Sequence, residues 1–291
     1  MSISLQTSSA SRARDARPDS VTAPINYVGP MSVRAKFHAQ DHRRDVLNLD
    51  NHMVTFHDAR RFRQAPSLDR EGLALVRHKS KVKNFHDAEE VSRVYLPELA
   101  ELIQQVTGAP KVSMLGAGGL LRFTERSPLY RTGMNTQPAR FVHIDFTPAT
   151  APGLVDGIFG SRAEQLKPGQ RIVGFNIWRA LSGAPQDVPL AVCDARTVAR
   201  KDLLEADGVY DEGDPATWPE LEAYVVHHNP AHRWIYFRDM EPDEALIFRA
   251  YDNNPVWQSG VPHVAFDDPS CPPDGPPRVS IEARAFAVFD A

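Results

Sequence analysis

The sequence predicts a mainly β fold with flanking helices (α+β), closed as a jelly-roll, cupin-like barrel. Three observations carry that expectation. Beyond Gly108 the chain is a succession of short strand-like runs, at 111–115, 120–123, 139–146, 171–181, 190–194 and 278–289, with turn residues between them. Pro outnumbers Gly, 24 to 17, and many prolines fall between apolar runs, which suits strands joined by defined turns. Helical patterns precede these runs once and interrupt them twice, supplying outer helices.

Taken in order, residues 1–24 read as a disordered tail, since 1–20 are rich in Ser, Ala and Arg and lack aromatics. One domain follows from Ile25, with an N-terminal helical region to about residue 110 and the jelly-roll core over about 111–291. Within the first part, 52–57 and 73–77 have strand character. A helix then starts at Asp87, an N-cap with Glu90 three residues on, and Gly108 ends it. Its apolar stripe, Val91, Tyr95, Leu99, Leu102 and Val106, predicts core packing, and Pro97 should kink or divide it. Further helices are expected at 153–166 and at 198–206, the latter capped by Thr197. The runs at 234–238 and 245–251 suggest a hairpin across Glu241-Pro242.

Bulk properties exclude several function classes. The chain has 291 residues and a formal net charge of -4, with no long basic run, which argues against nucleic-acid binding. No stretch reaches the ~20 apolar residues of a membrane span, and the N-terminus lacks the apolar core of a secretory signal. Two cysteines, Cys193 and Cys271, cannot build a disulfide framework. A soluble cytoplasmic protein is expected.

The chemistry concentrates at Phe141-Val-His-Ile-Asp-Phe-Thr147. On a strand, residues two apart face the same way, so His143 and Asp145 lie side by side, with Val142, Ile144 and Phe146 on the packed face. A buried imidazole–carboxylate pair needs a partner, and a cation serves. A third ligand would complete a 2-His-1-carboxylate face and leave positions open for a co-substrate and O2. The plainer reading of the pair by itself is a strand histidine bonded to a neighbouring carboxylate. His263 tips the balance, because Arg278-Val-Ser280 follows fifteen residues later. That order, a distal His and then Arg-x-Ser, is the one found in oxygenases that use Fe(II) and 2-oxoglutarate. The far carboxylate of 2-oxoglutarate requires a guanidinium and a hydroxyl inside the barrel. Glu282 and Arg284 continue the same face, so Arg284 is an alternative anchor unless the two form a structural ion pair.

Several longer blocks carry a resemblance. Asn26-Tyr27, Asp58-Ala-Arg60, 142–147, Asn176-Ile-Trp-Arg179, 189–196, 233–244 and 278–284 resemble the CmcJ-like or AsaB-like hydroxylase/desaturase family, which includes gibberellin desaturase-like proteins of secondary metabolism. The resemblance spans most of the chain. It implies a double-stranded β-helix, Fe(II) with 2-oxoglutarate, and His143, Asp145 and His263 as the metal ligands. It also implies hydroxylation or desaturation of an unactivated C–H bond in a small molecule. The chain departs from the family at 115–122, where Leu-Gly-Ala-Gly-Gly-Leu-Leu-Arg replaces a bulkier, more polar segment. It departs again at Ala180, where Pro is common, and at Val279, where Glu is common.

Other residues invite weaker assignments. Asn176 and Trp178 share a strand face, the first suited to bonding the co-substrate and the second to walling the pocket. Arg122, Tyr130, Arg131 and Arg238 are candidates for holding an anionic substrate, against a reading as ordinary surface or ion-pair charges. The glycines of 116–119 lack the Lys-Ser/Thr of a phosphate loop and predict a strand bend. His227, His228 and His232 have near-metal spacing, but Pro230 breaks any helical pairing and a solvated loop is the better reading. Two rival functions fit the same barrel: a cupin-like metal enzyme that does not use 2-oxoglutarate, and a non-catalytic partner protein.

Overall fold

Two sheets sandwich an interior that alternation along the strands has already divided into lining and packing residues. The computed structural model describes residues 18–39, 41–130, 137–159, 169–209, 220–255 and 260–290. In chain order the strands are β1 (Ser20–Val28), β2 (Ala35–His38), β3 (Leu49–Asp58), β4 (Leu73–Arg77), β5 (Lys111–Phe123), β6 (His143–Ile144) and β7 (Arg171–Ala180). They continue as β8 (Leu190–Cys193), β9 (Leu203–Val209), β10 (Glu220–Val226), β11 (Trp234–Tyr236), β12 (Glu244–Asp252), β13 (His263–Ala265) and β14 (Val279–Phe289). The large sheet runs β1-β3-β11-β8-β13-β6-β10-β9-β2 and the small one β4-β12-β7-β14-β5.

The large sheet curls until Asn26, on its edge strand β1, bridges to Phe141 just before β6. Tyr27, Phe56, Ile144, Trp234 and Phe266 pack in the hollow of that curl. A second core lies between the sheets, where Val192, Ile235 and Val261 meet Trp178, Leu246 and Phe248. A third lies on the far face of the small sheet, where Phe175, Ile177, Ile281 and Ala285 receive the helix. That helix begins as α1 (Ala88–Glu90), widens into a π turn (Val91–Tyr95) and continues as α2 (Leu96–Thr107); α3 (Ala151–Phe159) follows β6. The π turn answers Pro97. Proline has no N–H to give the carbonyl four residues back, and the ladder shifts so that the Leu96 N–H reaches Val91 O. Asp87 Oδ1 accepts from the N–H groups of Glu89 and Glu90 at 3.0 and 3.1 Å, and Gly108 closes the helix at φ 71°. Val91, Tyr95, Leu99 and Leu102 are buried as the stripe requires, but Val106, in the last turn, is 37% exposed and does not join the core.

Most expected strands form, and the departures have physical causes. Residues 20–24, assigned to the tail, belong to β1 and pair with β3. The region to residue 110 holds four strands as well as the helix, and β1 to β4 join both sheets. The runs 111–115 and 120–123 are one strand, whose register against β14 shifts beside Gly116 at φ 76°. Of 139–146 only His143–Ile144 is strand, paired with β10 on one side and, through His143, with β13 on the other. The expected hairpin at 241–242 does not form. β11 and β12 are buried on both faces and find partners in different sheets, β3 and β8 for one, β4 and β7 for the other. Residues 203–206 are strand rather than helix, since β9 pairs with both β10 and β2. Thr197 Oγ1 bonds Asp194 O at 2.7 Å instead of capping a helix. Of the helix expected at 153–166, the described part forms within α3.

Candidate metal centre

His143 and His263 are direct cross-strand partners on β6 and β13, so antiparallel pairing alone sets their rings side by side, with centroids 4.2 Å apart. Asp145 lies two residues beyond His143 on the same face. Its Oδ1 is 3.6 Å from His143 Nε2 and 3.9 Å from His263 Nε2, and one ligand atom from each residue falls within 4.8 Å of the other two. His143 Nδ1 sits 3.0 Å from Phe141 O and His263 Nδ1 3.4 Å from Val261 O. A carbonyl can only accept, so each Nδ1 carries the proton and each Nε2 lone pair is directed at the cluster, the tautomer a metal ligand needs.

The small sheet supplies what holds the carboxylate. Asn176 on β7 and Arg284 on β14 are register partners. Asn176 Nδ2 donates to Asp145 Oδ2 at 2.8 Å and Arg284 Nε to the same oxygen at 2.7 Å. Arg284 Nη2 also donates to Glu282 Oε1 at 3.0 Å, which accepts from Arg122 Nη2 at 3.2 Å. Burial alone would raise the Asp145 carboxyl, but Arg284 and the two imidazoles hold it far below the usual carboxylate range. Burial, reinforced by the His263 charge, pushes His143 down to about 4, and burial lowers His263 too. Near neutral pH the cluster is therefore two neutral imidazoles and one carboxylate, ready to bind a cation without first losing protons.

Arg278 and Ser280 lie together at the start of β14, 2% and 0% exposed. Arg278 Nε donates to Ser280 Oγ at 3.0 Å and Nη1 to Val188 O at 2.9 Å, and the guanidinium lies 5.0 Å from the centre of the Trp178 ring. Burial lowers it to about 9, still a cation at neutral pH. Among the described residues no carboxylate lies within ion-pair distance of it. A buried guanidinium of this kind fits a ligand carboxylate.

The remaining expectations divide. Arg284 forms ion pairs with Asp145 and with Glu282. Arg122, opposite Ser280 in the register, also reaches Glu282. Asn176 holds the Asp145 carboxylate, a task that sequence reasoning missed although the Asn176-x-Trp178 alternation put it on the right face. Among the described residues, Asn176 Oδ1 and Trp178 Nε1 are buried without a hydrogen-bond partner. Arg238 is elsewhere. It donates through Nε and Nη2 to Tyr236 Oη at 2.9 and 2.6 Å, and Tyr236 packs in the curl of the large sheet, on its other face. Tyr130 takes a hydrogen bond from Gln137, and Arg131 lies outside the described residues. The histidines after β10 form no metal cluster among the described residues. His232 is buried by its neighbours, a correction to the solvated loop.

A jelly-roll whose two sheets bring two imidazoles, one carboxylate and a buried guanidinium to one interior defines a mononuclear non-haem iron oxygenase. Comparison with known proteins agrees. The family model described as Oxidoreductase/YMDC permease-like domain matches residues 20–289. The chain is 32% identical over 246 residues to the Fe(II)/2-oxoglutarate-dependent dioxygenase nvfI of Aspergillus novofumigatus, covering 82% of this chain and 84% of that protein. It is 32% identical over 261 residues to the hydroxylase/desaturase efuI of Hormonema carpetanum, covering 84% and 86%. A solved structure of the iron and alpha-ketoglutarate-dependent endoperoxidase NvfI superposes with a TM-score of 0.81 at 28% identity, over 95% of this chain and 99% of that one. The chain belongs to this family of Fe(II)/2-oxoglutarate-dependent dioxygenases, with Fe(II) and 2-oxoglutarate as its cofactors. No helix among the described residues is long and apolar enough to cross a membrane.

Proposed function

We propose that His143, Asp145 and His263 hold Fe(II), that Arg278 with Ser280 anchors the distal carboxylate of 2-oxoglutarate, and that the enzyme hydroxylates or desaturates a small molecule of secondary metabolism. The convergence of three ligand atoms within 4.8 Å beneath two backbone-tethered imidazoles carries the reading. Iron, 2-oxoglutarate and O2 together supply the oxidising power, one oxygen atom leaving in succinate as CO2 is released and the other entering the substrate as hydroxyl or leaving as water. The chain's part is placement. The three side chains would hold the metal, and Arg278, held by Ser280 and Val188 O, would set the reach of the co-substrate. Trp178 covers that guanidinium and keeps water from it. Similar proteins carry names for different outcomes, hydroxylase/desaturase and endoperoxidase, which supports reading the substrate's pose as the deciding factor.

The partner is thus a small molecule, neither nucleic acid nor a membrane surface, a reading supported by the net charge of -4. The two free cysteines support action in the reducing cytoplasm. The test is anaerobic addition of Fe(II) and then 2-oxoglutarate, following the weak metal-to-ligand charge-transfer band. Wild type should develop the band, His143→Ala should not, and Arg278→Ala should require more 2-oxoglutarate. Variants indistinguishable from wild type would overturn the assignment.

A further inference from the structure

The two oxygens of Asp145 are treated differently by the fold. Oδ1 looks at both imidazole Nε2 atoms, at 3.6 and 3.9 Å. Oδ2 is turned to the small sheet, where the amide of Asn176 and the guanidinium of Arg284 both donate to it. Neither donor is loose. Their backbones face each other across β7 and β14, and Arg284 is held from behind by Glu282, which Arg122 steadies in turn. Charge alternates along the chain of contacts, carboxylate, guanidinium, carboxylate, guanidinium, so no member is buried without a countercharge.

We infer that Arg284, with Asn176, is a positioning residue that keeps Asp145 a one-oxygen ligand and so preserves the coordination position that 2-oxoglutarate chelation requires. The inference rests on the proposed ligand set and adds a reason for the alternating Arg278, Ser280, Glu282, Arg284 face. A carboxylate free to rotate can bind a divalent metal through both oxygens. With three protein ligands on six-coordinate iron, a second carboxylate oxygen would take one of three remaining positions, and a chelating keto acid needs two of them. Two donors, one charged, occupying Oδ2 at 2.7–2.8 Å make that rotation costly, because turning Oδ2 to the metal would take the acceptor from the Arg284 Nε–H and from the buried Asn176 amide. Ordinary support of a ligand would instead be expected to strengthen metal binding itself. The two roles therefore predict opposite outcomes.

The experiment is equilibrium binding to the full chain under anaerobic conditions. Fe(II) is titrated first, then 2-oxoglutarate into the metal-loaded protein by its charge-transfer band, for wild type and Arg284→Met. Because Arg284→Met removes one of the two guanidinium partners of Glu282 among the described residues, the charge-balanced Arg284→Met/Glu282→Gln variant is measured alongside, with thermal unfolding to register folded protein. The expected result is Fe(II) affinity equal to or tighter than wild type, with 2-oxoglutarate affinity weakened by at least about tenfold. Asn176→Ala should move both in the same sense by less. Fe(II) affinity that falls while metal-loaded protein binds 2-oxoglutarate normally would overturn the inference in favour of plain support. Variants matching wild type in both titrations would overturn it as well. Failure of wild type itself to bind Fe(II) or form the band would overturn instead the ligand assignment beneath it.

Discussion

Two buried histidine networks sit on opposite faces of the large sheet, and only one is open to a ligand. In the curl, Trp234 Nε1 donates to Tyr27 Oη at 2.8 Å, Tyr27 Oη lies 3.1 Å from His232 Nδ1, and His232 Nε2 lies 3.2 Å from Asp202 Oδ2. Asn229 Nδ2 donates to both Asp202 oxygens. Both nitrogens of that imidazole are taken by protein. Between the sheets, each imidazole spends Nδ1 on a carbonyl of its own chain and turns Nε2 to a shared point with Asp145 Oδ1. A histidine near an aspartate is thus no sign of a metal; what matters is whether the second ring nitrogen already has a partner.

The sharpest way to break this contrast is His263→Ala, which should reduce 2-oxoglutarate turnover to background and abolish Fe(II) binding, measured by succinate release and metal titration. His232→Gln should leave both unchanged per folded molecule. Next in size is the guanidinium anchor. Arg278→Lys keeps the charge but loses the planar fork, and should weaken 2-oxoglutarate by about tenfold to a hundredfold, a loss of ~1.5–3 kcal/mol for a charge-assisted contact. Retained affinity would move the anchor elsewhere.

Acid should act on the interior cluster through stability. The imidazole of His143 is depressed to about 4 by burial. Below its unfolded value near 6.5 the unfolded chain therefore takes up a proton that the native one does not, and stability falls as pH falls. From about pH 7 to pH 5 the metal-free protein should lose on the order of 2 kcal/mol from this group. Unfolding by denaturant should register the loss, with a shallower slope in His143→Gln. The low carboxyl of Asp145 adds loss of the same sign at still lower pH. His232→Gln is the smallest effect, about 1 kcal/mol of stability for an altered buried hydrogen-bond pair. A larger cost, or any change in metal binding, would mean the two faces of the sheet are coupled.

Much of the candidate site was legible. Period-two alternation put His143 with Asp145 and Arg278 with Ser280, and spacing paired His263 with the Arg-x-Ser that follows. The helix at 88–107 was readable from its cap, stripe and terminal glycine, because those signals act within one or two turns. What misled were segments whose fate depends on distant partners. The strand at 203–209 was hidden behind a helical pattern until β10 and β2 paired with it. The hairpin at 241–242 was undone because β11 and β12 each had better partners in separate sheets. Arg238 had the right charge for an anionic substrate, but the turn after β11 sets it against the Tyr236 hydroxyl.

By itself the sequence determined which residues share a face, where the helix starts and stops, and which side chains carry chemistry, since each depends on backbone geometry over a few neighbours. Only the tertiary structure decided that His263 lies opposite His143, that Asn176 and Arg284 from the other sheet grip one oxygen of Asp145, and that His232 is closed off. Those choices belong to pairings between segments up to 205 residues apart, and a pairing is selected by the burial and hydrogen bonds of whole strands, which no local pattern contains.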